Sequence, residues 1–243
     1  MVSAAVICVL TAATLALLMR STDKATAKQR AYGSFWVAII AGVGVWTTHF
    51  VAMLGYRPDA VLYYDAGLTI VSIIVGITCI GVPLALSEFY QGSKERRALG
   101  CAAGVGVSAM HLTGISAVQN CLPTFSPTLL GLAVTISMAS FAWALSQSRR
   151  TTGGLAKSSI GIVGGVCGLH FTAMASTTLT EIENQIDGLG KEELSNLVFV
   201  TALLVFAIGF ICTTNHRRRL SIQQMKHADS FPAAQRIVRS LRP

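Results

Sequence analysis

Apolar residues arrive in long blocks separated by short polar segments. A window of about 19 residues, the length of helix that crosses a hydrocarbon core, finds seven such blocks: 2–19, 32–56, 66–89, 98–118, 127–146, 156–178 and 195–214. The pattern predicts an all-α integral membrane protein with seven transmembrane helices. The first block has the length of a secretory leader. It lacks a basic start, however, and Met19-Arg20 is a poor cleavage site, so it is expected to persist as a helix. Composition agrees: 52% of residues are apolar, 12% are charged and the mean hydropathy is +0.59. Soluble domains carry roughly twice that charge fraction.

The polar segments alternate in charge. Arg20, Lys24, Lys28 and Arg30 follow the first block, Lys94, Arg96 and Arg97 the third, Arg149, Arg150 and Lys157 the fifth, and Arg217, Arg218 and Arg219 the seventh. The intervening segments hold only Arg57, none in "QNCLPTFSP", and Lys191 in the acidic "EIENQIDGLGKEEL". Basic residues stay on the cytoplasmic side, which puts the N-terminus outside and the C-terminus in the cytoplasm. The net charge of +8 follows from this asymmetry and gives no reason to expect nucleic acid as a partner.

Within the blocks an internal repeat stands out. "GVGVWTTHFVAMLG" (42–55), "GVGVSAMHLTGISA" (104–117) and "VGGVCGLHFTAMAS" (163–176) align on histidine without gaps. Each has Gly five residues before the His (Gly44, Gly106, Gly165), Val four before it (Val45, Val107, Val166) and a large apolar residue after it (Phe50, Leu112, Phe171). The spacing predicts three helical-hairpin repeats, about 31–90, 95–147 and 155–215, plus an extra N-terminal helix. His49, His111 and His170 then sit on helices 2, 4 and 6, at one depth, roughly 10–12 Å below the outer boundary at 1.5 Å per residue. Ala38 and Gly42, Gly100 and Gly104, and Gly161 and Gly165 are spaced for close helix packing just upstream. Gly153-Gly154 reads as a turn before helix 6.

Imidazoles at membrane depth are costly and commonly mark function, although a neutral ring costs less than a charge and can also serve as a polar contact between helices. Met53 lies four residues after His49, and Met174 four after His170, so each pair shares a helix face. Cys167, three before His170, can share it too. The second copy has Ile115 in the distal position and Met110 directly before His111, about 100° away around the helix. Imidazole with soft sulfur favours copper, especially Cu(I). Three histidines also suit zinc with an open position, and two could hold a haem. Asp59 and Asp65 lie at the outer ends and leave room for carboxylate assistance. None of the six cysteines forms a C-x-x-C pair; five fall within the blocks, which is no disulfide framework.

The three repeats, the seven blocks and the "MHLT" at Met110-His111-Leu112-Thr113 resemble the MHYT family of bacterial integral-membrane sensor domains, over about residues 1–215. The resemblance implies copper bound by motif Met, His and Cys residues, which carried over by position gives His49 and Met53, Met110 and His111, and His170 and Met174; Cys167 stays a candidate by its spacing from His170. It also implies sensing of a diatomic gas (O2, CO or NO), of redox state or of the metal itself in the bacterial inner membrane. Output would pass to a cytoplasmic effector, a diguanylate cyclase or phosphodiesterase domain in cis or in trans. The competing expectation is a small metal-ion or proton transporter using the same histidines. Below them the helices offer mostly Gly, Ala, Val and Ile, which discourages a polar path. Residues 216–243 form a basic cytoplasmic tail with seven Lys/Arg and one acid, suited to anionic lipid. The tail is too short for a catalytic domain, so no enzymatic activity of the chain's own is expected. His216 and His227 are expected to be solvated.

Overall fold

In hydrocarbon, a backbone must satisfy its own hydrogen bonds, so each apolar block folds as a helix. The structure, a computed structural model, describes residues 2–21, 27–56, 62–148, 151–182, 188–211 and 214. Lys24, Arg57, Asp59, Arg149, Arg150, Cys212, His216, His227 and the basic tail lie outside the described residues.

Seven helices are long and apolar enough to cross a membrane: α1 (Val2–Ser21), α2 (Ala27–Leu54), α3 (Ala66–Leu86), α4 (Ser93–Ser116), α5 (Pro127–Ser146), α6 (Thr152–Ser176) and α7 (Lys191–Ile211). The chain is thus a multi-pass membrane protein. Several helices start earlier than the apolar blocks, because polar first turns still satisfy backbone bonds at the interface. Asp65 caps α3, accepting from the Leu68 amide at 2.6 Å. Thr151 caps α6, accepting from Gly154 N–H at 3.1 Å. That cap draws Gly153 and Gly154 into the first turn of α6, where the sequence suggested a turn. Pro127 opens α5, where its missing N–H costs nothing.

α3 carries one irregularity. Gly76–Gly81 forms a π-turn, closed by the Val82 amide donating to the Ile77 carbonyl. Pro83 follows, and its ring would clash with the carbonyl four residues back, that of Cys79. Widening the turn relieves the clash. Gly106 of α4 lies against that same carbonyl, so close that a Cβ at 106 would collide with it.

The helices form a closed ring. α3 packs between α2 and α4, α5 between α4 and α6, and α1 between α6 and α2. The histidine-bearing α2, α4 and α6 therefore alternate with the other three. Small residues set the approach. A Cβ on Gly104 would lie 2.6 Å from the Met138 Cα of α5, and one on Gly100 2.6 Å from the Phe141 carbonyl oxygen. Gly42 faces the Gly76 backbone, and Gly161 and Gly165 face Ser140, Phe141 and Ala144. α7 lies outside the ring, its Gly209 against Trp36 and Ile40 of α2. Of the most apolar window, 17% is buried in α7 and 83% in α2.

Over the ends where α2, α4 and α6 finish, the connecting segments are stitched together. β1 (Cys121–Phe125) pairs antiparallel with β2 (Thr177–Glu181), in register Cys121↔Glu181 to Phe125↔Thr177. Tyr64 exchanges backbone bonds with Leu189, at 3.0 and 2.8 Å, and also bridges to Val118. The Asp65 amide donates to Ala117 O at 2.7 Å, and the Gln119 amide to Tyr63 O at 3.0 Å. Burial, with the Cys121 thiol beside it, raises the Tyr64 phenol above its usual range, so the phenol stays neutral.

A bulky residue on a glycine seam should split the ring. Gly104→Val is expected to cost about 1–3 kcal/mol, read as a lower unfolding temperature in detergent. Gly131→Val, at a position with open space around it, should leave that temperature unchanged.

Candidate metal centre

The repeat brings its three histidines to one point. His49, His111 and His170 are buried, with 3%, 2% and 7% of their surface exposed. His49 Nδ1 stands 3.1 Å from His111 Nδ1 and 3.4 Å from His170 Nδ1. The rings meet edge-on, with interplanar angles of 79°, 75° and 89°. One ligand atom from each falls within 4.8 Å of the others. Three nitrogens bound at 2.0–2.1 Å to one tetrahedral or trigonal ion would be about 3.3–3.6 Å apart. The two spacings from His49 come close to that, and the His111–His170 pair lies within 4.8 Å.

The protonation chemistry is constrained. A neutral imidazole carries one N–H. If that proton sits on Nε2, three Nδ1 lone pairs face one another, and a cation is what such a set attracts. Nε2 of His49 and Nε2 of His111 are buried without a hydrogen-bond partner, so the surroundings do not draw either ring outwards. Space for the His49 ring comes from Gly114, three residues after His111. A Cβ there would lie 2.5 Å from His49 Nε2. Phe50 flanks the same ring at 4.8 Å between centroids, and Tyr64 flanks Phe50 at 6.0 Å, linking the centre to the stitched segments.

A cavity of about 40 Å³ opens on the triad. Its lining follows the repeat. Val45, Val107 and Val166, four residues before each histidine, contribute to it, as do Thr48, Met110 and Leu169, directly before each. Ala4 and Ala5 of α1 and Cys167 and Phe171 of α6 complete the side between those two helices. The cavity has room for a few water-sized molecules. Apart from the imidazoles and Thr48, it offers no oxygen or nitrogen side chain among the described residues.

The candidate ligands divide accordingly. His49, His111, His170, Met110 and Cys167 line the cavity. Met53, with 1% exposed, is packed in the hydrophobic core, and Met174 is half-buried against it; among the described residues neither lines the cavity. Four residues along a helix is about 6 Å, and that rise carries both methionines past the triad towards the stitched ends. Met110 rises only 1.5 Å from His111, and a central helix presents a wide arc to the axis, so an angular offset of one residue still reaches the cavity. Cys167 is outside the three-histidine cluster, and its sulfur lies 3.9 Å from that of Cys8. Asp65 is taken up in capping α3 and in accepting from Gln119 Nε2 at 3.2 Å. Sequence reasoning missed Thr48, Leu169 and Gly114 as site residues, although the repeat alignment marks the first two as equivalents of Met110. Nothing in the sequence pairs Cys8 with Cys167.

Comparison with known proteins places these features in a group. The MHYT repeat, described as a bacterial signalling protein N terminal repeat, matches residues 42–101. The cyclic di-GMP phosphodiesterase NbdA of Pseudomonas aeruginosa is 27% identical over 207 residues, which is 76% of this chain and 25% of that protein. The bifunctional diguanylate cyclase/cyclic di-GMP phosphodiesterase MucR of the same organism is 31% identical over 187 residues, covering 72% of this chain and 27% of the relative. The signaling protein YkoW of Bacillus subtilis is 21% identical over 200 residues, 77% of this chain and 25% of the relative. The chain thus spans about a quarter of the length of the relatives it matches. No solved structure matches it.

Gly114 offers a test of the geometry that leaves every candidate ligand in place. Gly114→Ala should push the His49 ring off the common point and weaken metal binding about 10–100-fold, the usual effect of disturbing a ligand's surroundings. Competition titration with a chelator of known affinity would measure it.

Proposed function

We propose, from the premise that this chain belongs to the MHYT family of bacterial signalling domains, that it is a membrane sensor whose receptor is one metal ion, copper, held by His49, His111 and His170. The observation that carries this reading is the convergence of three Nδ1 atoms beside a small, largely apolar cavity. An ion on three nitrogens would have room for a further ligand, for which Met110 of the cavity lining would offer a soft sulfur or the cavity a diatomic molecule (O2, CO or NO). Met53, Met174 and Cys167 are secondary ligand candidates that would need side-chain movement to reach the ion. Zinc satisfies the nitrogens equally well, but the methionine at the cavity wall favours copper. A cavity of this size has no space for a porphyrin.

The same reading puts the N-terminus outside, the C-terminus in the cytoplasm and the protein in the inner membrane, with residues 1–215 as one sensor domain followed by a basic tail. Output passes to a cytoplasmic effector that makes or degrades cyclic di-GMP, in cis or in trans, as the names of the relatives suggest. The transporter alternative requires a polar path across the membrane. The layer formed by Val45, Val107 and Val166 next to the triad supports the sensor instead.

Purified protein reconstituted with Cu(I) should hold about one copper per chain, and each of His49→Ala, His111→Ala and His170→Ala should lose most of it, measured by elemental analysis. Wild type that stays metal-free after Cu(I), Cu(II) and Zn²⁺ would overturn the proposal. A C-terminal fluorescent-protein fusion should fluoresce and an alkaline-phosphatase fusion at the same point should be inactive; the opposite pair of results would reverse the orientation.

A further inference from the structure

α1 and α6 meet along one seam of the ring, and the cavity reaches that seam between Ala4 and Ala5 on one side and Cys167 and Phe171 on the other. Phe171 is 53% exposed on the outer face of the bundle, so the seam opens towards lipid. Just inside it the Cys167 and Cys8 sulfurs lie 3.9 Å apart, both as free thiols. The two thiols differ in access. Cys167 is half-buried and lines the cavity, whereas Cys8 is 2% exposed and does not. An accessible thiol with a shielded second thiol beside it is the arrangement of redox-active cysteine pairs, in which the first is oxidised and the second resolves the product.

We propose that Cys167 and Cys8 are an oxidation site for a small uncharged hydroperoxide in the state in which Cys167 holds no metal. The Cys167 sulfur attacks one peroxide oxygen. An S–O bond forms, the O–O and S–H bonds break, and the thiol proton passes to the departing oxygen, which leaves as water. The Cys8 sulfur then attacks the Cys167 sulfenic acid. The S–S bond forms, the S–O bond breaks, and the leaving hydroxide takes the Cys8 proton as a second water. Two thiols lose two electrons in total, and the peroxide is reduced to two waters. Closing 3.9 Å to about 2.05 Å requires side-chain rotation across a seam lined by small residues. The bridge ties α1 to α6 beside the mouth of the cavity. The lining and the lipid-facing mouth select for an uncharged oxidant, since a charged one would have to shed its hydration to enter.

The test uses the full chain in lipid nanodiscs, treated first with a chelator and then with hydrogen peroxide, followed by non-reducing digestion and mass spectrometry. A Cys8–Cys167 cross-linked peptide should appear about tenfold faster than oxidation of Cys101 or Cys121, and a phosphine reductant should reverse it. In Cys8→Ser, Cys167 should instead accumulate a sulfenic acid trapped by dimedone. If exposed Cys79 oxidises and no Cys8–Cys167 peptide forms at any peroxide concentration, the proposal is wrong. The wild-type cross-link is read without any substitution, so a poorly folding variant does not decide the outcome.

Discussion

Three imidazoles from three helices can meet at one point only where those helices come unusually close to the structure's axis. In this protein the approach rests on backbone-to-backbone contact at glycine. Gly42 against Gly76, Gly104 against Met138 and Gly106 against the Cys79 carbonyl hold neighbouring helices nearer than any side chain would allow. Lipid offers no hydrophobic drive for helix association, so dispersion over these flat seams has to supply it. The π-turn of α3 belongs to the same constraint, since it moves the Cys79 carbonyl away from the ring of Pro83 at the place where Gly106 arrives.

The ring that results is threefold in its inner layer and uneven in its outer one. The valine layer, the residues before each histidine and the histidines recur in all three inner helices. The outer helices do not match one another. α1 joins α2 through Gly44 against Thr11, and α6 through Ser159 donating to Ala12 O at 3.4 Å. The cavity reaches the seam between α1 and α6, so the site has a side door where the symmetry is broken.

The sequence made the larger features legible because they are periodic. Seven blocks of apolar residues, three aligned histidines and the paired small residues upstream all have physical signatures that need no tertiary knowledge. The choice among sulfur ligands was less legible. Helical spacing puts Met53 on the same face as His49, but it does not say at which height along the axis the cavity lies. Met110 was the reverse case: a poor match by angle, yet level with the cavity. The β1–β2 pairing and the Tyr64 bridges had no local signal, because "CLPTF" and "TTLTE" become strands only once the ends of α4 and α6 bring them together. Cys8 had none either, being 159 residues from Cys167 on a helix outside the repeat.

The stitched end has a mechanical consequence. His49, His111 and His170 lie only about 8–9 Å along their helices from Leu54, Ser116 and Ser176, where backbone bonds hold the ends of the helices together. The opposite ends, Ala27, Ser93 and Thr152, lie roughly 27–33 Å from the imidazoles; there Arg96 Nη2 donates to Gln147 O at 3.3 Å, and among the described residues the strand pairing is all at the histidine end. Each inner helix is therefore a lever with its fulcrum beside the histidines. If a helix turns as a rigid rod, a displacement at the imidazoles grows about four- to fivefold at the far end. A change in nitrogen spacing too small to repack the core would thus arrive on the opposite side of the membrane as a movement of ångströms.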